Sequence, residues 1–266
     1  MDKKMDFIRI GKLRVSRVIL GSNPFSGFSH QGPERNSEMK HYYTCARIKD
    51  VLRNAEELGI NTLIARADHH MMRVIMEYRD EGGNIQWIAQ TCPEVGTMER
   101  GADNAVSGGA NGCYIHGGFM DFLYANNRLG EVPGVVEKIK KSGMPAGIAA
   151  HNPRVFEWAE KNLDVDFYMC SYYNPIWREK DPEHKECLTE YFMEEDRDVM
   201  VKAIKSLKKP AIHYKVMAAG RNNPEEAISF VAKHLRPQDA VCMGIYSKDK
   251  PGMLQEDITL LQKYLS

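Results

Sequence analysis

The sequence predicts a single (β/α)8 barrel with a short N-terminal β-hairpin, one domain over residues 1–266. Three observations carry that expectation. Apolar strand-like runs alternate with helix-periodic segments eight times, in the roughly 250-residue span that such a barrel needs. The strand-like runs are apolar through most of their length, as strands buried on both faces should be. Ionisable residues collect at the C-terminal ends of these runs, whereas the opposite ends read "ELGIN", "LDVD" and "KKP", ordinary connection chemistry.

The elements follow in order. "SRVILGSNP" is the first barrel strand, followed by a long loop to Asn36. Residues 38–58 carry helical periodicity, with Ile48, Val51, Leu52, Ala55 and Leu58 on one face. "INTLIARAD" is the second strand and "HHMMRVIMEYRD" its helix. "NIQWIAQT" and a helix near 97–107 form the third unit, "GCYIH" and a helix over 119–141 the fourth. After "PAGIAAH", Asn152 suits a helix N-cap and Pro153 the first helical position. "VDFYMCSYYN" leads to a helix at 195–207. "PAIHYKVMA" leads to a helix ending near His234, and "DAVCMGIYS" to a last helix at 251–264. An open doubly wound sheet is the competing arrangement, but no G-x-G-x-x-G follows the first strand.

Composition narrows the function. Apolar residues make up 43% and charged residues 27%, and 36 basic side chains balance 36 acidic ones. That balance argues against nucleic-acid and membrane-surface partners, which call for a basic face. No apolar run reaches the roughly 18 residues that span a bilayer. The start, "MDKKMDFIRI", lacks a signal-peptide core, so the expected location is cytoplasmic. Cys45, Cys92, Cys113, Cys170, Cys187 and Cys242 form no CxxC pair and read as reduced thiols.

In a (β/α)8 barrel the active site lies at the C-terminal strand ends. Here those ends supply Ser22 and Asn23, then Arg66, Asp68, His69 and His70, then Gln90 and Thr91. His116 ends strand four, and His151 with Asn152 ends strand five. Tyr172, Tyr173 and Asn174 follow strand six, with Arg178 beyond. Strand seven offers His213, Lys215 and Arg221, and strand eight Tyr246, Ser247 and Lys248. Alternation along "AIHYKVM" assigns His213 and Lys215 to one face, read as inward, and Ile212, Tyr214 and Val216 to the helix side. A lysine carried into the barrel mouth would lower its pKa or recruit an anion. For a divalent metal, Asp68, His69, His116 and His151 are the available ligands, without an H-x-H or H-E-x-x-H to organise them.

Several stretches resemble the aldo-keto reductases. "IRIGKLRVSRVILGSNPF" is similar to their opening hairpin and first strand, "AEELGINTLIARAD" to their second unit, and "GCYIH" to the fourth strand with its catalytic histidine. "AGIAAHNPRVFEWAEK", "YYNPIWRE" and "GIYSKDKPGMLQEDITLL" resemble later units. The resemblance implies the barrel, an N-terminal hairpin over residues 6–16 that closes its bottom, a catalytic role for His116, and an NADP site in which Tyr172 or Tyr173 stacks the cofactor near Ser247 and Lys248. The departures are large. The family's aspartate position falls near Ile64 or Ala65, with Asp68 further along, and its tyrosine position falls in His69–Met72. Its strand-three lysine is replaced by Gln90 or Thr91, and its Ser-Asn pair by Ala149 and Ala150.

Three functions follow as expectations. The first is an enzyme that acts on a small polar carbonyl or sugar-like, often anionic substrate by His116 and Lys215 acid–base chemistry. Asn23, Arg66, Asp68, His151, Tyr173, Asn174, Arg178, His213 and Arg221 would then bind substrate. The second is an NADPH-dependent carbonyl oxidoreductase with a rebuilt site. The third is a metabolite-binding barrel without catalysis. In the first, His116 and Lys215 face one pocket across the lumen.

Overall fold

The computed structural model of the protein describes residues 5–183 and 189–265. Strands β1 (Phe7–Ile10) and β2 (Leu13–Ser16) form an antiparallel hairpin, with Ile8 opposite Val15 and Ile10 opposite Leu13. Eight parallel strands close a barrel: β3 (Val18–Gly21), β4 (Thr62–Arg66), β5 (Gln86–Gln90), β6 (Gly112–Ile115), β7 (Ala146–Ala150), β8 (Phe167–Ser171), β9 (Ala211–Tyr214) and β10 (Ala240–Gly244). Each pairs with its neighbours in sequence, and β10 pairs with β3 to close the ring. This is the (β/α)8 barrel that the alternation of segments predicts.

The inner and outer faces of the strands build two separate apolar clusters. Inside, Ile19, Ile64, Ile88, Tyr114, Phe167, Met169 and Ile212 fill the lumen, and Ile8, Ile10, Leu13 and Val15 of the hairpin pack onto them as a floor. With the floor plugged by fully buried side chains such as Ile10 and Val15, only the C-terminal mouth is left for a ligand. Outside, strand residues such as Leu20, Leu63, Trp87, Ile115 and Ile148 pack against the helices.

Among the described residues ten α-helices surround the barrel: α1 (Pro33–Tyr42), α2 (Cys45–Glu57), α3 (His69–Asp80), α4 (Met98–Ser107), α5 (Gly117–Ala125), α6 (Val132–Lys141), α7 (Pro153–Asn162), α8 (Glu194–Ser206), α9 (Pro224–His234) and α10 (Met253–Tyr264). Two segments expected as single helices are each split. The periodicity over 38–58 breaks at Tyr43 and Thr44. There the Thr44 hydroxyl accepts the Arg47 N–H and caps α2, while the Tyr43 hydroxyl donates to Ile245 O at 2.8 Å. The stretch 119–141 divides into α5 and α6 at Asn127, which takes a left-handed φ of 55°. Asn152 caps α7 as expected, accepting the Arg154 N–H at 3.0 Å.

Cys45, Cys92, Cys113, Cys170 and Cys242 are free thiols, and Cys187 lies outside the described residues. Burial pushes the thiols of Cys92 and Cys242 up to about 12, so neither is a nucleophile at neutral pH. Among the described residues no helix is long and apolar enough to cross a membrane.

Candidate active site

His116 follows the last residue of β6 and is the N-cap of α5. Its ring Nδ1 accepts the Gly118 N–H at 3.0 Å. In the neutral ring the proton must then sit on Nε2, which is left as a hydrogen-bond donor. Burial lowers the His116 pKa well below the usual histidine value, helped by the positive charges of Arg178, His151, Arg66 and Lys215 around it. The imidazole therefore stays neutral. The glycines after it are required for space. A Cβ on Gly117 would lie 3.1 Å from the His151 ring and 3.4 Å from the Tyr214 hydroxyl, and one on Gly118 only 2.2 Å from Pro182 O.

His151, one residue past β7, forms the centre of a buried chain. Its Nδ1 lies 2.7 Å from Asp121 Oδ2, and its Nε2 lies 3.4 Å from the Tyr214 hydroxyl. Asp121 reaches it from the second turn of α5 and also accepts the backbone N–H groups of His151 and Asn152 at 3.1–3.2 Å. Burial pushes the Asp121 carboxyl up to about 7, against the pull of those backbone donors and of Arg178 and Lys215. A carboxyl raised to about 7 is thus held in hydrogen-bond contact with the His151 ring.

Strand seven of the barrel, β9, departs from the expected register. Ile212 packs in the lumen and Tyr214 joins it there, so the inward face is the one read as facing the helices. His213 points outward: its Nδ1 lies 2.9 Å from the Tyr172 hydroxyl and its Nε2 3.2 Å from Asp239 Oδ2, with no exposed surface. His213 is therefore a buried group of the outer layer, and the substrate-binding role expected for it is withdrawn. Alternation would send Lys215 outward too. Instead β9 ends at Tyr214, and Lys215 adopts a left-handed backbone with φ of 58°. That turn brings its Nζ to 3.4 Å from His30 Nε2 and 5.9 Å from the Phe192 ring centre. A non-glycine residue in this region costs energy, and such strain collects at functional sites. Burial drives the Lys215 pKa down to about 8, with Arg178 and Arg221 adding to the shift and Glu190 and Asp121 opposing it.

Three further residues shape this side of the mouth. His30 Nδ1 meets Glu190 at 2.8 Å. Arg221 donates to His30 O at 2.7 Å and stacks on Phe192 at 4.3 Å, which braces the loop beneath Lys215. Arg178 is buried, and its Nη1 donates to Pro182 O and Glu183 O. Its Nε finds no partner among the described residues. Its charge depresses the proton affinity of both His116 and Lys215, which places it over the same mouth.

Across the mouth, the end of β4 is arranged differently. The Arg66 guanidinium donates from Nε to Asp68 at 2.8 Å and from Nη2 to Glu94 at 3.1 Å, and it lies 4.6 Å from the Phe28 ring centre. Asp68 also caps α3 by accepting the Met71 N–H at 2.9 Å, and His69 is exposed in the first turn of that helix. A cleft of about 380 Å3 opens here, lined by Phe25, Ser26, Phe28, Lys40, Tyr43, Arg66, Asp68 and His70. Asn23 begins the short 3-10 turn behind Phe25, and its carbonyl accepts the Phe28 N–H at 2.9 Å.

Other expected site residues are committed elsewhere. Tyr172 is buried in the outer layer, its ring 5.9 Å from that of Phe230 and its hydroxyl on His213. Tyr173 is also buried, and its hydroxyl accepts from Asn222 at 2.7 Å. The backbone N–H of Asn174 is held by Asp196. The Ser247 hydroxyl sits 3.3–3.4 Å from those of Tyr42 and Tyr43, and Lys248 pairs with Glu38. These residues do not fit the nicotinamide seat that the resemblance implies, because Tyr172 offers no ring face at the mouth and Ser247 and Lys248 are already paired. The metal ligands read from the sequence are likewise separated: Asp68 serves Arg66, His69 is on α3, His116 caps α5 and His151 holds Asp121. Among the described residues no three His, Cys, Asp or Glu side chains converge on a metal position. Asp121 and Tyr214 were not expected. An isolated aspartate inside the apolar run "GGFMDFLY" is the signal that marks Asp121.

No family model matches the chain, and no curated protein matches it. Solved structures do. A putative aldo-keto reductase from Pseudomonas aeruginosa superposes with a TM-score of 0.67 over 98% of this chain and 96% of its own, at 14% identity. A glycerol dehydrogenase from Gluconobacter oxydans reaches 0.55 over 98% and 95%, at 11% identity. A truncated 3-deoxy-D-arabino-heptulosonate 7-phosphate synthase from Thermotoga maritima reaches 0.58 over 98% and 92%, at 11% identity. A reductase, a dehydrogenase and a synthase match about equally well. The chain has the barrel seen in aldo-keto reductases, and the likeness is one of fold.

Proposed function

We propose that the chain is an enzyme that moves a proton next to the carbonyl of a small polar substrate, in an isomerisation or elimination rather than a hydride transfer. What supports this reading is an amine lowered to about 8 at Lys215 that interacts electrostatically with the Asp121 carboxyl, which is raised to about 7 and bonded to the His151 ring. Groups whose pKa values lie near the working pH are the most effective general acids and bases. Lys215, as the free amine, takes the proton from the carbon beside the carbonyl. His116, kept neutral, holds the carbonyl oxygen by a hydrogen bond from Nε2 without giving up the proton, and stabilises the charge that builds there. Tyr214 returns one proton to the enolate or to the leaving group and takes its replacement through His151 and Asp121, which are recharged from solvent, while the proton on Lys215 is released to solvent. Arg178 and Arg66 supply positive charge for an acidic group on the substrate.

The test is hydrogen exchange. The protein is incubated in D2O with a panel of hydroxy-ketones, keto acids and sugar acids, and deuterium at the carbon beside the carbonyl is read by proton NMR. Exchange is expected with a member of the panel and should disappear in Lys215→Met and Tyr214→Phe. Consumption of NADPH with the same panel would instead establish a reductase. Saturable binding of a panel member without exchange or turnover would establish a binding barrel.

A further inference from the structure

Lys215 ends a row of polar groups to which the reaction above gives no part. His30 and Lys215 are both non-glycine residues with left-handed backbones, φ 57° and 58°. They come from separate loops, one after β3 and one after β9, and Lys215 Nζ lies 3.4 Å from His30 Nε2. The other ring nitrogen, Nδ1, lies 2.8 and 2.9 Å from the two carboxylate oxygens of Glu190, in the loop after β8. His30 and Glu190 keep only 11% and 6% of their side chains exposed. The two flanking loops are fastened together beside this row: Arg221 Nη2 donates to His30 O at 2.7 Å, and Gln31 Nε2 to Ala219 O at 2.5 Å. An ionised carboxylate accepts and does not donate. In the neutral ring the proton is therefore on Nδ1, and Nε2 turns its lone pair to the amine.

We propose that His30, held in place by Glu190, is the positioning residue that receives the proton of Lys215 and so restores the free amine. The inference rests on the proposed function in taking Lys215 as the base. The substrate C–H bond breaks, its electron pair stays on the substrate, and the proton forms an N–H bond on the amine. The ammonium then gives that proton to His30 Nε2. The ring becomes an imidazolium beside the Glu190 carboxylate and passes the Nε2 proton to water, which returns it to its starting tautomer. A carboxylate behind an imidazole fixes the tautomer and stabilises the charged ring without itself taking the proton. The charges around the amine call for such a receiver. Burial, Arg178 and Arg221 disfavour the ammonium, while Glu190 and Asp121 favour it, and the charged amine bears in turn on His116. Asp121 is already engaged by His151 and by the backbone of His151 and Asn152. Glu190 stands behind a ring whose far nitrogen meets the amine.

Nuclear magnetic resonance of the full chain tests this without substrate, with the His30 and Lys215 signals assigned by their loss in His30→Gly and Lys215→Met. At pH 7 the nitrogen shifts of His30 should show a proton on Nδ1 and none on Nε2. Glu190→Gln should lower the midpoint of the Lys215 titration by at least about 0.5 pH unit, less than the roughly 1–3 units of an opposite charge in contact, because the ring stands between them. His30→Gly removes the ring and suits the left-handed backbone. It should slow deuterium exchange by about tenfold, below the roughly 10²–10⁴-fold of a group that touches substrate, and added imidazole should restore the rate. A proton on Nε2 with Nδ1 bare, a Lys215 midpoint that does not move in Glu190→Gln, an unchanged rate in His30→Gly, or a loss that imidazole leaves in place overturns the proposal. If His30→Gly fails to fold, the parent shifts and Glu190→Gln decide. The resonance readings need no turnover. The expected readings in a protein without exchange would sink the proposed function and leave His30 as the receiver of the Lys215 proton; exchange with contrary readings would do the reverse.

Discussion

The barrel carries two buried histidine–aspartate pairs, one on each face of its wall, and they differ in what else touches the carboxylate. In the outer layer, Asp239 accepts from His213, from Arg236 through Nε at 2.7 Å and Nη2 at 2.8 Å, and from Ala211 N–H at 2.8 Å. Burial works against that carboxylate, but the bonds from His213 and Arg236 outweigh it and hold its pKa below the ordinary value. In the mouth, Asp121 has His151 and two backbone donors and no arginine in contact. Burial prevails there and lifts it to about 7. An arginine fixes the first pair as structure. Among the described residues no arginine bonds Asp121, and its carboxyl is left raised. A histidine and an aspartate in contact therefore say little about role until the third partner is known.

The strongest way to sharpen this contrast is to break each pair in turn. His151→Asn and Tyr214→Phe should each lower turnover by about 10²–10⁴-fold, the range of general acid–base catalysis. Circular dichroism and melting should remain near those of the parent. A comparable loss of fold would make the inner pair structural as well.

Asp239→Asn should act the other way. Breaking a buried ion pair by removing one partner costs about 3–5 kcal/mol. Urea unfolding should show the loss, while the activity per folded molecule stays close to that of the parent. Asp239→Asn that melts normally would erase the distinction.

Acid provides a third probe. His213 is held neutral by burial, with its folded pKa below the usual 6.5. As pH falls below about 6.5 the unfolded chain takes up a proton that the folded chain refuses, so stability declines, by at most about 1.4 kcal/mol per pH unit for one such group. His213→Asn should flatten that part of the profile. Unchanged acid sensitivity would mean that other groups control it.

The smallest expected effect concerns Lys215. Its folded pKa of about 8 lies below the 10.5 of a free lysine. The folded state therefore suffers from carrying the charge at neutral pH, and the penalty fades as pH rises from 8 to 10.5. Lys215→Met should end turnover yet raise the melting temperature at pH 7 by about 2–4 °C, equivalent to ~1 kcal/mol. That gain should shrink at pH 10. A lower melting temperature at pH 7 would show that the contacts with His30 and Glu190 outweigh the burial cost.

Much of this molecule is legible in order along the chain. The eight-fold alternation and the strand-end positions of His116 and His151 follow from apolar runs and their polar ends, which are local patterns, while the hairpin floor is legible only through the resemblance of its segment to a known opening. Where two neighbours compete, the local pattern misleads. His213 and Lys215 share a parity, and both read as inward because both are polar. The strand carries the other parity into the lumen, because Ile212 fills the core better than an imidazole does. Only the left-handed turn at Lys215 returns the amine to the mouth.

The sequence alone settled that the chain builds a closed barrel with its chemistry at one end, because side-chain periodicity is written residue by residue. Tertiary structure decided which buried carboxylates meet an arginine and which histidine faces the lumen. The fates of these carboxylates and histidines depend on side chains from distant elements sharing one low-dielectric space, where hydrogen-bond partners and burial together set each charge.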